Sequence, residues 1–205
     1  MIDSHKQEKI IEVLKQQPLE VRERVEEVSV DMWGGFPKVV QEVFPNALVI
    51  FDRFHVMKAV NDELNKIRKQ VSIKIKSSKF ILLKNGVDLS REEKEKLEII
   101  LKCSNRLRLA YELKEEFRAI YESNITIEEG KTKIELWIDK ARKVYCDVIM
   151  TIKNHLEGIC NYFLSRTTSG VMEGINNKIK LIKRQAYGFV NFDNFRMRLL
   201  ACFSD

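Results

Sequence analysis

The stretch VSVDMWGGFPKVVQEVFPNALVIFD, residues 28–52, holds two short apolar runs separated by a segment of helical period. The first run, Val25 to Asp31, and the second, Ala47 to Asp52, read as strands, and Pro37 to Phe44 between them reads as a helix. A strand, a helix and a strand in that order predict a parallel pair, because the crossover brings the second strand back in the same direction. Both runs end in a carboxylate, Asp31 and Asp52. Ligand sites in open parallel sheets lie beyond the carboxyl ends of the strands, so both aspartates fall on the working edge.

Outward from this unit the pattern is helical. A polar helix is expected over Lys6 to Gln17, and after Phe54 helices are expected near 54–70, 91–103, 106–122, 127–145, 147–165, 170–184 and 192–202. Ser90 with Glu93, and Thr126 with Glu129, carry the spacing of capping boxes. Asn85-Gly86 and Glu129-Gly130 are the main turn signals, and no repeat or low-complexity segment interrupts the chain. The expected fold class is an α/β remnant followed by a mostly α region.

Composition narrows the function classes. With 205 residues, 44% hydrophobic and 32% charged, and with 8 Gly and 3 Pro, the chain is long enough and apolar enough to bury an ordinary core. A formal net charge of +6 favours acidic partners, with nucleic acid or an anionic membrane surface leading. The four cysteines, Cys103, Cys146, Cys160 and Cys202, form no C-x-x-C pair, so neither a zinc ribbon nor a disulfide framework is indicated and free thiols are expected. No apolar run approaches the ~18 residues of a membrane span, and the first residues, MIDSHKQEKI, lack the apolar core of a signal peptide. A cytoplasmic, nucleoid-associated protein without membrane partners is expected.

The segment GVMEGINNKIKLIKR, Gly170 to Arg184, divides when wound at about 100° per residue. Val171, Met172, Ile175, Ile179 and Ile182 share one side; Glu173, Asn176, Asn177, Lys180, Lys183 and Arg184 share the other, with Lys178 in the same basic run. Most amphipathic helices of this kind simply solvate their polar face. Here the face is one carboxylate among amides and cations. Amides and cations suit phosphate oxygens, and a single acid among them suits a divalent cation held against the same phosphate.

Other residues are less specific. Asp31 is followed by a Trp-Gly-Gly turn that would leave its carboxylate uncovered, yet a strand-end Asp equally often caps the next turn. In FDRFHVMK, Asp52 and His55 bracket Arg53, and a structural hydrogen bond competes with any metal role for that pair. His155 and Cys160 read as packed or surface groups, and His5 has no assigned role. Tyr187, Phe189, Phe192 and Phe195 alternate with Arg184, Arg196 and Arg198, a pattern that suits base stacking beside phosphate contacts, although such aromatics more often anchor a helix.

Taken together, VSVDMWGGF, FPNALVIFDRFHVMK, AYELKEEFRAIYE with LWIDKAR, and SGVMEGINNKIKLIKRQAYGFVNFDNFRMRLL resemble the transposases of the ISL-three group of bacterial insertion sequences, in order and nearly end to end. The resemblance implies a ribonuclease-H-like catalytic fold with a helical insertion before the last acid. It implies an Asp-Asp-Glu triad holding two Mg²⁺ or Mn²⁺ ions, and metal-dependent phosphodiester hydrolysis and strand transfer at insertion-sequence ends. By position Glu173 matches the final acid. Asp31 matches the second, with Asp52 and His55 forming an auxiliary acid-x-x-His motif; the rival alignment makes Asp52 the second acid. Asp31 and Glu173 are then the metal ligands, and Asn176, Asn177, Lys178, Lys180, Lys183, Arg184, Arg196 and Arg198 the DNA contacts.

The implied partners are the terminal inverted repeats, target DNA, and a second copy or a full-length transposase. Three segments follow: 1–60 as a partial ribonuclease-H-like core, 61–165 as the helical insertion, and 166–205 as the C-terminal helices carrying the last acid. The family's first acid, on the first strand of the sheet, has no match in this stretch, and Asp3 is no substitute for it. A truncated core, inactive alone, is therefore expected. The alternatives are a non-catalytic DNA-binding or transposase-inhibiting module, and an independent nuclease using Asp31, Asp52 and Glu173.

Overall fold

The computed structural model describes every residue of the chain except Met1, Asp3, Trp33, Thr168, Ser169, Ser204 and Asp205. Asp3 and the Trp33 of the Trp-Gly-Gly turn thus lie outside the described residues. The chain divides into two compact units, one of Met1–Val49 with Thr167–Asp205, the other of Ile50–Arg166.

The first unit begins with α1 (Gln7–Leu14) and a short α2 (Leu19–Glu23) that the sequence pattern did not foretell, followed by β1 (Glu27–Val30) and α3 (Phe36–Val43). β1 pairs with β2 (Leu48–Phe51) in a two-stranded parallel sheet, the arrangement predicted from the strand, helix, strand order. The core of this unit is Ile11, Val39 and Val43, with Ile10, Leu14 and Phe44 packed against it. That places the apolar sides of α1 and α3 face to face. Polar ties close the loops: Arg22 donates to the Val43 carbonyl at 2.8 Å, and Asn46 to the Glu23 carbonyl at 2.9 Å. Two helices complete the unit, α12 (Gly170–Gln185) and α13 (Phe192–Cys202).

The second unit is helical, built on α4 (Arg53–Gln70), α7 (Asn105–Glu122) and α8 (Ile127–Ala141). Around them lie α5 (Ser78–Leu83), α6 (Arg91–Lys102), α9 (Asp147–Asn154), α10 (Leu156–Cys160) and α11 (Tyr162–Ser165). Both predicted capping boxes form, at Ser90 with Glu93 and at Thr126 with Glu129. The interior is aromatic: Trp137 lies 4.4 Å from Phe117, ring centre to ring centre, and its indole N–H donates to the Leu113 carbonyl at 2.8 Å.

Three expectations need correcting. Glu129-Gly130 is not a turn; both residues lie within α8, where Glu129 completes the capping box and Gly130 leaves room for the ring of Phe163. The single helix expected over 147–165 is three. It stops first at His155, whose Nδ1 lies 2.8 Å from the Thr151 carbonyl, occupying the acceptor that a continuing helix would use, and whose ring packs edge-on against Phe51. α8 also ends at Ala141 rather than at 145.

Candidate nucleic-acid interface

α12 is the element on which the sequence placed most of the chemistry. Gly170 opens it, Glu173 stands in its first turn, and Lys183 and Arg184 in its last. That order suits the helix dipole, which favours an acid at the start and cations at the end. Glu173, Asn176, Asn177, Lys180, Lys183 and Arg184 are all exposed, so the polar face is open along its whole length. The apolar face is only partly covered. Ile182 is buried and Ile175 and Ile179 half-buried, but Val171 and Met172, counted with them on the wheel, are 78% and 54% exposed.

The turn after α12 is set by backbone geometry. Gly188 adopts φ +97°, a region costly for other residues, and its N–H donates to the Lys183 carbonyl at 2.9 Å, closing the helix end. Asn191 then caps α13 through its side-chain oxygen, which accepts from Asp193 and Asn194. Phe189, on the connection between the two helices, packs on Phe195 of α13 at 4.9 Å, so the rings hold that connection against α13. Tyr187 is fully exposed. Arg196 and Arg198 are exposed along α13, and Arg198 borders a cleft of about 210 Å³ lined also by Ile182, Phe189 and Cys202. Lys178 is occupied within the unit: its ammonium donates to the Cys202 carbonyl at 2.7 Å and sits 4.3 Å over the Phe203 ring.

Asp31 follows the last residue of β1 and is half-buried. Asp31 and Glu173 belong to the first unit, Asp52 and His55 to the second. Asp52 is buried and is the N-cap of α4, its Oδ1 accepting the Phe54 N–H at 3.0 Å. His55, one turn on, has Nε2 4.0 Å from Asp52 Oδ2 and is itself part-exposed, edge-on to the Phe54 ring. The two therefore meet as a cap and its neighbour. Arg53 between them points its guanidinium at Glu122, 3.0 Å away, over the ring of Tyr121.

Carboxylates are the right donors for Mg²⁺ or Mn²⁺. Within neither unit, however, do three or more His, Cys, Asp or Glu side chains among the described residues gather into a group that could hold a metal ion. No described helix is long and apolar enough to cross a membrane. One basic feature has no counterpart among the residues singled out from sequence, the acid-free run from residue 64 to residue 87, whose signal is the absence of Asp and Glu rather than a motif.

A family model of the ISL-three group, described as "Transposase", matches residues 1–199. The transposase for insertion sequence element IS1001 of Bordetella parapertussis is 27% identical over 206 residues, spanning 92% of this chain and 50% of that protein. The transposase for insertion sequence element IS1557 of Mycobacterium tuberculosis is 27% identical over 201 residues, 81% of this chain and 45% of that protein. A Lactococcus lactis protein named ATP-dependent protease is 31% identical over 102 residues, 49% of this chain and 32% of that protein. No solved structure matches. The chain spans about half the length of the curated transposases it resembles.

Proposed function

The chain belongs to the ISL-three transposase family, and from that premise we propose that it forms the part of a DDE-type enzyme that carries the last acid and grips DNA beside it. The observation that supports this is α12. Its single acid, Glu173, opens an exposed face otherwise made of Asn176, Asn177, Lys180, Lys183 and Arg184. Cations on such a face neutralise phosphates and amides donate to their oxygens, while the carboxylate is the one anionic group there to bind a divalent cation.

In this reading the fold is the α/β part of a ribonuclease-H-like core, with 61–165 as the helical insertion. Asp31 and Glu173 are the two metal ligands these residues contribute to a Mg²⁺- or Mn²⁺-dependent centre, and Asp52 positions the start of α4 and His55. The substrate is the terminal inverted repeats of an insertion sequence. These 205 residues alone retain such DNA without cutting it.

The test is incubation of the chain with terminal-repeat duplex and Mg²⁺ or Mn²⁺, scoring retention and strand cleavage separately. Salt-sensitive retention without cleavage is expected. Cleavage by the chain itself, abolished by Glu173→Gln, would overturn the assignment of an incomplete centre; absence of retention at low salt would overturn the DNA-gripping role of α12.

A further inference from the structure

A second basic surface lies in the helical unit, on the segment joining α4 to α5. Between Glu63 and Asp88 the sequence has no acid and seven cations, Lys66, Arg68, Lys69, Lys74, Lys76, Lys79 and Lys84. Two of them are neutralised by neighbours: Lys66 pairs with Asp147 at 2.9 Å and Lys84 with Glu93 at 2.7 Å. Lys69, Lys74, Lys76 and Lys79 are exposed, and among the described residues none of these four carries an ion pair.

Local structure displays them. Ile73 and Ile75 are half-buried while Lys74 and Lys76 between and after them are exposed, so the alternation turns the apolar residues inward and the ammonium groups out. The loop's path is fixed by two serines in the left-handed region, Ser72 at φ 53° and Ser77 at φ 64°, conformations uncommon for residues other than glycine. Ser78 is buried, and its N–H donates to the Ile75 carbonyl at 3.1 Å, closing the turn. A disordered charged tail would need none of this.

Four unneutralised ammonium groups on one short segment, Lys69 near the end of α4, Lys74 and Lys76 on the loop and Lys79 at the start of α5, raise the local positive potential, a cost that a polyanion offsets. The geometry points to a second phosphate-contacting surface for duplex DNA, made by Lys69, Lys74, Lys76 and Lys79 and separate from the α12 face. This rests on the DNA-binding reading above. Ile73 and Ile75 are half-buried and Phe80, next to Lys79, is exposed, so the surface sets four cations beside one ring; the density of charge favours a phosphate backbone, and the vesicle arm of the test separates it from a lipid surface.

The test compares two variants of the whole chain in salt titrations of duplex binding. In Lys69→Gln/Lys74→Gln/Lys76→Gln/Lys79→Gln the slope of log affinity against log salt should become shallower by roughly 3 to 4, at about 0.9 per lost phosphate contact. Melting temperature should hold, since all four side chains are exposed, and the matching Lys→Arg quadruple should keep both slope and affinity. In Lys180→Gln/Lys183→Gln/Arg184→Gln binding should weaken separately, leaving the loop's share of the slope. A Gln quadruple that keeps full affinity and slope, while the α12 variant loses them, would overturn this inference alone. A chain that retains no duplex at all would overturn the underlying reading with it. Release by anionic vesicles in preference to duplex competitor would replace DNA as the partner.

Discussion

The carboxylate of Glu63, midway along α4, accepts the backbone N–H of Val148 at 2.7 Å, and its other oxygen accepts Cys146 at 2.6 Å and Asp147 at 3.1 Å. A buried side chain thus satisfies three of the donors that the start of α9 leaves without helical partners, and its charge suits the positive end of that helix. Glu63→Gln puts an NH₂ against an N–H donor, and we expect it to destabilise the helical unit by about 1.5–3 kcal/mol. Chemical denaturation read by far-ultraviolet circular dichroism measures it. A loss below a few tenths would show that water replaces the carboxylate.

Gly130 and Gly174 should respond to alanine with opposite signs. Alanine within a helix gains up to about 1 kcal/mol over glycine. At Gly174 a Cβ meets nothing within 4 Å, so Gly174→Ala should raise stability by that order. At Gly130 the added methyl would overlap the ring of Phe163, which is buried and packed near Tyr121, so the overlap outweighs the propensity gain. Gly130→Ala should cost about 1–3 kcal/mol. Melting curves of the two variants decide the sign.

These two glycines also mark what the sequence could and could not say. Capping boxes at Ser90 and Thr126 were readable because both partners lie within four residues. The helical place of Gly130 depends on Phe163, and the break at His155 is accompanied by packing on Phe51, contacts across 33 and 104 positions of chain that no local pattern encodes. The candidate interface behaves likewise. The polar face of α12 was legible from its period, whereas the exposure of Val171 and Met172 and the withdrawal of Lys178 toward Cys202 depend on where α13 packs. The assignment of Asp52 as the cap of α4 needed the backbone.

Two buried tyrosines of the second unit differ in one hydrogen bond. The Tyr145 hydroxyl donates to the Ala110 carbonyl at 2.5 Å; the Tyr121 hydroxyl is buried without a hydrogen-bond partner among the described residues. Tyr145→Phe should therefore cost about 1–2 kcal/mol, and Tyr121→Phe should be neutral or stabilising by up to about 1 kcal/mol. Burial also pushes both phenols upward, as it does Tyr111, which moves from 10.0 to about 12. A folded value above the unfolded one means that stability is intact below pH 10 and falls as pH climbs from there through about 12. Melting temperature followed upward from pH 9 should show this fall, and a flat profile would contradict the burial of these rings.

The four cysteines should label in a fixed order. Cys103 and Cys146 are exposed, Cys202 is half-buried, and Cys160 is buried with its thiol pushed up to about 11 by burial. The thiolate is the reacting form, so at pH 8 an alkylating reagent should modify Cys103 and Cys146 first and Cys160 last. Peptide mass spectrometry over a time course reads the order, and early modification of Cys160 would mean that α10 opens readily.

Asp52 and Asp31 are the rival candidates for the second acid, and their surroundings separate them. Asp52 is buried and its Oδ1 is committed to the Phe54 N–H at the start of α4, whereas Asp31 follows a strand end and is half-buried. Asparagine caps helices as well as aspartate does, while alanine loses about 0.5–2 kcal/mol at an N-cap. Asp52→Asn should therefore cost less stability than Asp52→Ala. In a cleavage-competent transposase carrying these residues, Asp31→Asn should abolish strand cleavage and Asp52→Asn should leave a measurable fraction. The opposite pattern, cleavage lost with Asp52→Asn at unchanged melting temperature and kept with Asp31→Asn, would assign the second acid to the start of α4 and leave Asp31 as its support.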